Sequence, residues 1–65
     1  MPILQVQIVT GHTSDQKVQL AHELTDTVER VLGSPRAAIR VLLHETPPEN
    51  WYRAGTSLAS SANEK

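Results

Sequence analysis

Strict alternation opens this chain. From Pro2 to Val9 it reads Pro-Ile-Leu-Gln-Val-Gln-Ile-Val. A period of two puts Leu4, Val6 and Ile8 on one face and Ile3, Gln5, Gln7 and Val9 on the other. The spacing predicts a strand over 2–9, with proline at its start, where a missing N–H does no harm. The second face is half apolar, which points to contact with another subunit rather than open water. The period then changes. Thr13-Ser14-Asp15-Gln16 fits a capping box, a hydroxyl residue followed three places on by glutamine, and Asp15 suits the positive end of a helix. From Ser14 to Leu32 the apolar positions are Val18, Leu20, Ala21, Leu24, Val28, Val31 and Leu32. Most recur at three- and four-residue spacing, the pattern of one buried helical stripe. Gly33 is placed to end the helix in left-handed backbone, and Pro35 prevents its continuation. A second strand is predicted over 38–45, Ala-Ile-Arg-Val-Leu-Leu-His-Glu, whose nearly continuous apolar run fits a strand covered on both faces.

Strand, helix and strand at these lengths make a βαβ unit, with parallel strands and a right-handed crossover. The fold class is therefore α/β (α+β): a single βαβ unit with a short C-terminal hairpin, assembled into oligomers. Residues 1–58 form the one domain. Thr46 to Asn50 reads as a turn. Trp51 to Leu58 reads as a hairpin or arm that carries both aromatic residues. The run 59–65, Ala-Ser-Ser-Ala-Asn-Glu-Lys, is expected to be a flexible tail.

Composition narrows the possibilities. A 65-residue chain buries only about 60% of its unfolded surface, so its core needs support. There is no cysteine, hence no disulfide framework. The histidines, His12, His22 and His44, match no metal spacing. No cofactor is expected, and oligomerisation remains as the source of stability. The formal charge of −1 comes with scattered basic residues, which argues against nucleic acid as a partner. No apolar run approaches the ~20 residues that span a membrane, and no leader pattern is present, so the expected location is cytoplasmic.

Two residues carry candidate chemistry. Met1 precedes Pro2, and aminopeptidases commonly remove methionine in front of proline. That would leave Pro2 with a free secondary amine. An α-amino group titrates near pH ~8, and burial or nearby positive charge lowers that further. Such a nitrogen serves as a general base without any catalytic side chain. Arg40 interrupts the apolar second strand. An arginine inside such a run has to meet a partner, because an unpaired buried charge is costly.

Set together, Pro2-Ile3 through Gly11, Ser14-Asp15-Gln16-Lys17 at the helix start, Ile39-Arg40-Val41 on the second strand and Glu49-Asn50-Trp51 before the hairpin resemble the 4-oxalocrotonate tautomerase family, over roughly residues 2–58. The resemblance implies a βαβ fold whose dimers commonly assemble as a hexamer, a trimer of dimers. It implies an enol–keto tautomerase for unsaturated 2-hydroxy and 2-keto acids, working without cofactor or metal. In that reading Pro2 is the general base, and Arg40 binds carboxylate and carbonyl oxygens and stabilises the dienolate, usually from another subunit. Trp51 lines the site and excludes water, and His12 and Val9 complete the substrate-binding set. One departure matters: the family's enzyme for a six-carbon diacid carries a second arginine where this chain has His12, a shorter group only partly charged near neutrality. Relatives also often have several glycines after the aromatic residue, where this chain has Tyr52-Arg53-Ala54-Gly55; Arg53 is a candidate replacement charge. Two other readings stay open. One is a proline-dependent hydratase or dehalogenase, with Glu45 or Glu49 activating water. The other is a non-catalytic ligand-binding oligomer.

Overall fold

The computed structural model describes residues 1–59. Its elements, in order, are strand β1 (Ile3–Val9), helix α1 (Ser14–Leu32), a 3-10 turn at Arg36–Ala38, strand β2 (Arg40–Thr46), a second 3-10 turn at Pro48–Asn50, and a hairpin of strands β3 (Tyr52–Arg53) and β4 (Thr56–Ser57). β1 and β2 pair in parallel, Ile3 opposite Arg40 through to Val9 opposite Thr46. This is the βαβ unit with a hairpin that the hydrophobic pattern predicts.

The helix begins and ends as the sequence directs. The Gln16 amide donates to Thr13 Oγ1 at 3.1 Å and the Thr13 amide donates to Gln16 Oε1 at 2.9 Å. Both arms of the capping box are thus made, satisfying donors that a helix start leaves free. At the far end Gly33 adopts φ 68° and its amide donates to the Glu29 carbonyl, which closes the last turn in a conformation that penalises a side chain.

The second strand starts later than its apolar run suggests. Ala38 and Ile39 are turn residues: their amides donate back to Pro35 and Arg36 at 2.9 and 3.1 Å. Those two donors are spent on the turn that carries the chain from helix to sheet, so the ladder begins at Arg40, whose amide donates to the Pro2 carbonyl at 3.0 Å. Arg40 is consequently exposed at the strand start, and the expectation of a buried arginine needing a partner is corrected.

Register assigns the faces. Leu4, Val6 and Ile8 lie with Val41, Leu43 and Glu45 on one side. The Lys17–Glu45 ion pair at 2.9 Å shows that α1 covers that side. Ile3, Gln5, Gln7 and Val9 lie with Arg40, Leu42, His44 and Thr46 on the other. The second strand is therefore covered on one face within the chain, not on two. Ile39, at 8% exposure, is the one buried apolar residue among those described, and none of them is fully buried. The helical stripe is half-buried at Ala21, Leu24 and Val28, while Val18, Val31 and Leu32 stay more than 60% exposed. Ile3, on the open face, is 58% exposed. The radius of gyration is 15.2 Å, against about 11 Å for a compact chain of this length.

The hairpin turns through Ala54 and Gly55 at φ 52° and 83°. Two consecutive positive values define the tight turn whose twist matches paired strands. Leu58 donates to the Trp51 carbonyl at 2.8 Å, and Ser57 Oγ donates to the Pro48 carbonyl at 3.0 Å, so the hairpin is tied to the second 3-10 turn. Of the tail expected at 59–65, Ala59 is described, its amide donating to Ser57 Oγ; residues 60–65 lie outside the described residues.

Candidate active site

Parallel pairing brings the two principal candidates to one end of the sheet. Pro2 immediately precedes β1 and Arg40 opens β2, and the 3.0 Å bond from the Arg40 amide to the Pro2 carbonyl joins them. Pro2 is half-buried and Met1 is 80% exposed. The Arg40 guanidinium donates through Nη1 to the Ala37 carbonyl at 2.6 Å, which fixes one nitrogen and leaves the rest of the fork open to a ligand. A planar guanidinium presents five donors and grips a carboxylate with two at once.

The other three candidates sit elsewhere in the chain. Val9 closes β1, and His12 lies in the loop beyond it. Seven strand residues at about 3.3 Å each separate the two ends of β1 by roughly 20 Å. His12 borders a shallow depression of about 220 Å³ lined also by Ile8, Gln16, Lys17 and Leu20. Trp51, half-buried, follows from the same far end, past β2 and the second 3-10 turn. One chain therefore joins Pro2 to Arg40 and keeps His12 and Val9 away from them.

Residues outside the expected set surround the Arg40 end. Arg36, in the turn before β2, donates through Nη1 to Asp26 Oδ1 at 2.7 Å and Glu29 Oε1 at 3.0 Å, and His22 lies 3.3 Å from Nη2. His22 is exposed and approaches Asp26 at 3.4 Å. The hydrogen bond from Arg36 holds the Asp26 carboxyl below its ordinary value, with the charges of His22 and Arg36 adding to it. The same bond raises Arg36 above its own. Asp26 and Glu29 are three apart on the helix and Arg36 follows the proline stop, so this spacing was a readable signal of an ion-pair cluster.

His44 is half-buried; its Nε2 is buried without a hydrogen-bond partner among the described residues, and the neighbouring Glu45 is engaged by Lys17. Among those residues, no group of three or more His, Cys, Asp or Glu side chains is placed to hold a metal ion, and no helix is long and apolar enough to cross a membrane.

Fold and site together define a small βαβ protein with a proline–arginine pair at one end of a parallel two-stranded sheet. The model of the family described as tautomerase enzyme matches residues 2–61. The 2-hydroxymuconate tautomerase of Comamonas testosteroni is 35% identical over 57 residues, 88% of this chain and 90% of that one. A protein of Streptococcus mutans named "Probable tautomerase" is 36% identical over 55 residues, 85% of this chain and 90% of that one. Among solved structures, TomN, a 4-oxalocrotonate tautomerase homologue in the tomaymycin biosynthetic pathway, superposes with a TM-score of 0.90 at 34% identity, covering 94% of each chain. A heterohexamer 4-oxalocrotonate tautomerase from Chloroflexus aurantiacus superposes at 0.85 with 30% identity, covering 91% of this chain and 95% of that one. The chain belongs to the tautomerase family, and the resemblance read from its residues holds in sequence and in fold.

Proposed function

We propose that this protein is a cofactor-independent enol–keto tautomerase of unsaturated 2-hydroxy and 2-keto acids. Pro2 is the general base once Met1 has been removed. Its secondary amine takes the enol proton and returns it to carbon, so the substrate is isomerised with no net gain or loss of atoms. Arg40 binds the carboxylate and carbonyl oxygens, where positive charge stabilises the developing enolate by several kcal/mol in principle. The observation that carries this reading is the placing of Pro2 and Arg40 at one end of the sheet in a chain of the tautomerase family, an end at which the Arg40 of one copy serves the Pro2 of another in the assembled protein. The exposure of Met1 supports its removal.

The same reading assigns His12, Trp51 and Val9 to the substrate pocket through a second copy of the chain, since β1 holds Val9 and His12 at its opposite end from Pro2. The open sheet face and the low internal burial support a homo-oligomer, and a hexamer follows the assembly of the Chloroflexus aurantiacus relative. Histidine at position 12, in place of a permanent cation, supports a substrate with one carboxylate over a diacid. Cytoplasmic location belongs to the same proposal, and cell fractionation tests it. The lyase reading loses one of its two water-activating candidates, because Glu45 is bound to Lys17.

Three measurements test the function. The intact mass of the purified chain is expected to fall short by one methionine. Ketonisation of an aromatic enolpyruvate is expected to be lost in Pro2→Ala and strongly reduced in Arg40→Ala. A retained Met1, or full activity in both variants, sinks the reading.

A further inference from the structure

The helix, the 3-10 turn and the strand start are linked by one unbroken set of hydrogen bonds. Asp26 and Glu29 of α1 hold Arg36 at 2.7 and 3.0 Å. Arg36 opens the turn, whose backbone is closed by Ala38 to Pro35 and by Ile39 to Arg36. Inside that turn the Ala37 carbonyl accepts from Arg40 Nη1 at 2.6 Å. Ile39, the buried residue between turn and strand, anchors the backbone at that point.

We propose that Arg36 is a positioning residue for Arg40: clasped by Asp26 and Glu29, it sets the 3-10 turn so that the Ala37 carbonyl holds the Arg40 guanidinium in one orientation at the start of β2. The inference rests on the proposed role of Arg40 in substrate binding. Both carboxylates accept from Arg36 Nη1 while Nη2 faces His22 Nδ1, an arrangement of two nitrogens in one plane that a lysine ammonium matches only as a point charge. The ion pairs are about half exposed, and exposed pairs contribute little to global stability. The clasp therefore acts on the aim of one side chain rather than on whether the chain folds. A long, flexible guanidinium loses rotamer freedom when it binds, and fixing one of its nitrogens beforehand reduces what remains to be lost.

The experiment is a double-mutant cycle on ketonisation of an aromatic enolpyruvate, using the assembled protein with Met1 removed. Arg36→Met is expected to lower kcat/KM by about three- to tenfold, the equivalent of one hydrogen bond's net contribution, with oligomer mass unchanged and melting temperature little changed. In an Arg40→Ala background the same substitution is expected to have no further effect, because the group it aims is gone. Asp26→Ala combined with Glu29→Ala removes both acceptors of the clasp from the helix side and is expected to reproduce Arg36→Met, which keeps the test available if one variant folds poorly. Arg36→Lys is expected to recover only part of the loss. Amide exchange at Ala38 and Ile39 is expected to speed up in Arg36→Met. Loss of activity in Arg40→Ala with no effect of Arg36→Met overturns the clasp alone, as does an equal fall in both backgrounds. Full activity in Arg40→Ala overturns the proposed function and the clasp together.

Discussion

Ala54 holds a backbone conformation that its side chain disfavours. At φ 52° it sits in the left-handed region, where a Cβ costs roughly 1–2 kcal/mol. The turn geometry demands it, because both central residues of this hairpin type have positive φ, and Gly55 meets the demand at no cost. Ala54→Gly relieves the strain but adds freedom to the unfolded chain. The expected net gain is about 0.5–1 kcal/mol, read as a higher urea midpoint at fixed protein concentration. Stability unchanged or lowered would mean the hairpin is not strained at this residue. The two principal site residues differ in what the sequence disclosed. Pro2 was weak evidence from its position alone and became a candidate base only beside the βαβ pattern, Arg40 and Trp51. Arg40 was legible as an anomaly, but its environment was misread. Its hydrophobic neighbours suggested burial, and the turn bonds at Ala38 and Ile39 push it to the exposed strand start. Periodicity cannot report which backbone donors are already used.

Among the elements, α1 is the most completely written in the sequence. Its cap, its stop and its stripe are local features, and the structure reproduces each boundary. Thr13→Ala removes one arm of the capping box and is expected to cost about 1 kcal/mol; thermal unfolding measures it, and Thr13→Ser should restore most of the loss. The junction between α1 and β2 carries a pH signature. Asp26 is held below its ordinary value of 3.8, chiefly by the hydrogen bond from Arg36. A carboxylate with a depressed folded pKa stabilises the fold above its unfolded value and loses that contribution as pH falls through the folded one. The charged groups facing it are Arg36 and His22, with Glu29 sharing Arg36. The effect therefore lies below about pH 4. Because the pair is about half exposed its contribution is small, so the urea midpoints of the parent and Asp26→Asn should converge there and separate only slightly as pH rises. Parallel curves over that range would rule out the ion pair as a source of stability.

At the scale of the molecule, one chain is incomplete. Its radius of gyration exceeds that of a compact chain, no side chain is fully buried among those described, and Leu42 and Ile3 lie open on the bare sheet face. His44 Nε2 is buried with no partner among the described residues, a state that typically costs about 1–3 kcal/mol. The candidate site is divided in the same way, with Pro2 and Arg40 at one end of the sheet and Val9 and His12 at the other. Mixed oligomers test the division. Chains carrying Pro2→Ala and chains carrying His12→Ala, unfolded together and reassembled, are expected to regain activity beyond the sum of the two parents. Such sites take proline from one copy and histidine from another. Activity no greater than that sum would place each complete site within a single chain.

By itself the sequence determined the local order of this protein: an alternating strand, a capped helix with its glycine stop, a second apolar strand, and a proline and an arginine at family spacing. Each of these follows from neighbours within a few residues, where period, cap and turn chemistry act directly. Only the tertiary structure decided the register that puts Ile3 against Arg40, the turn that exposes Arg40, and the clasp that reaches it from α1. Those depend on which backbone donors are already satisfied and on pairing between residues more than thirty positions apart in the sequence. No local pattern encodes such choices one residue at a time.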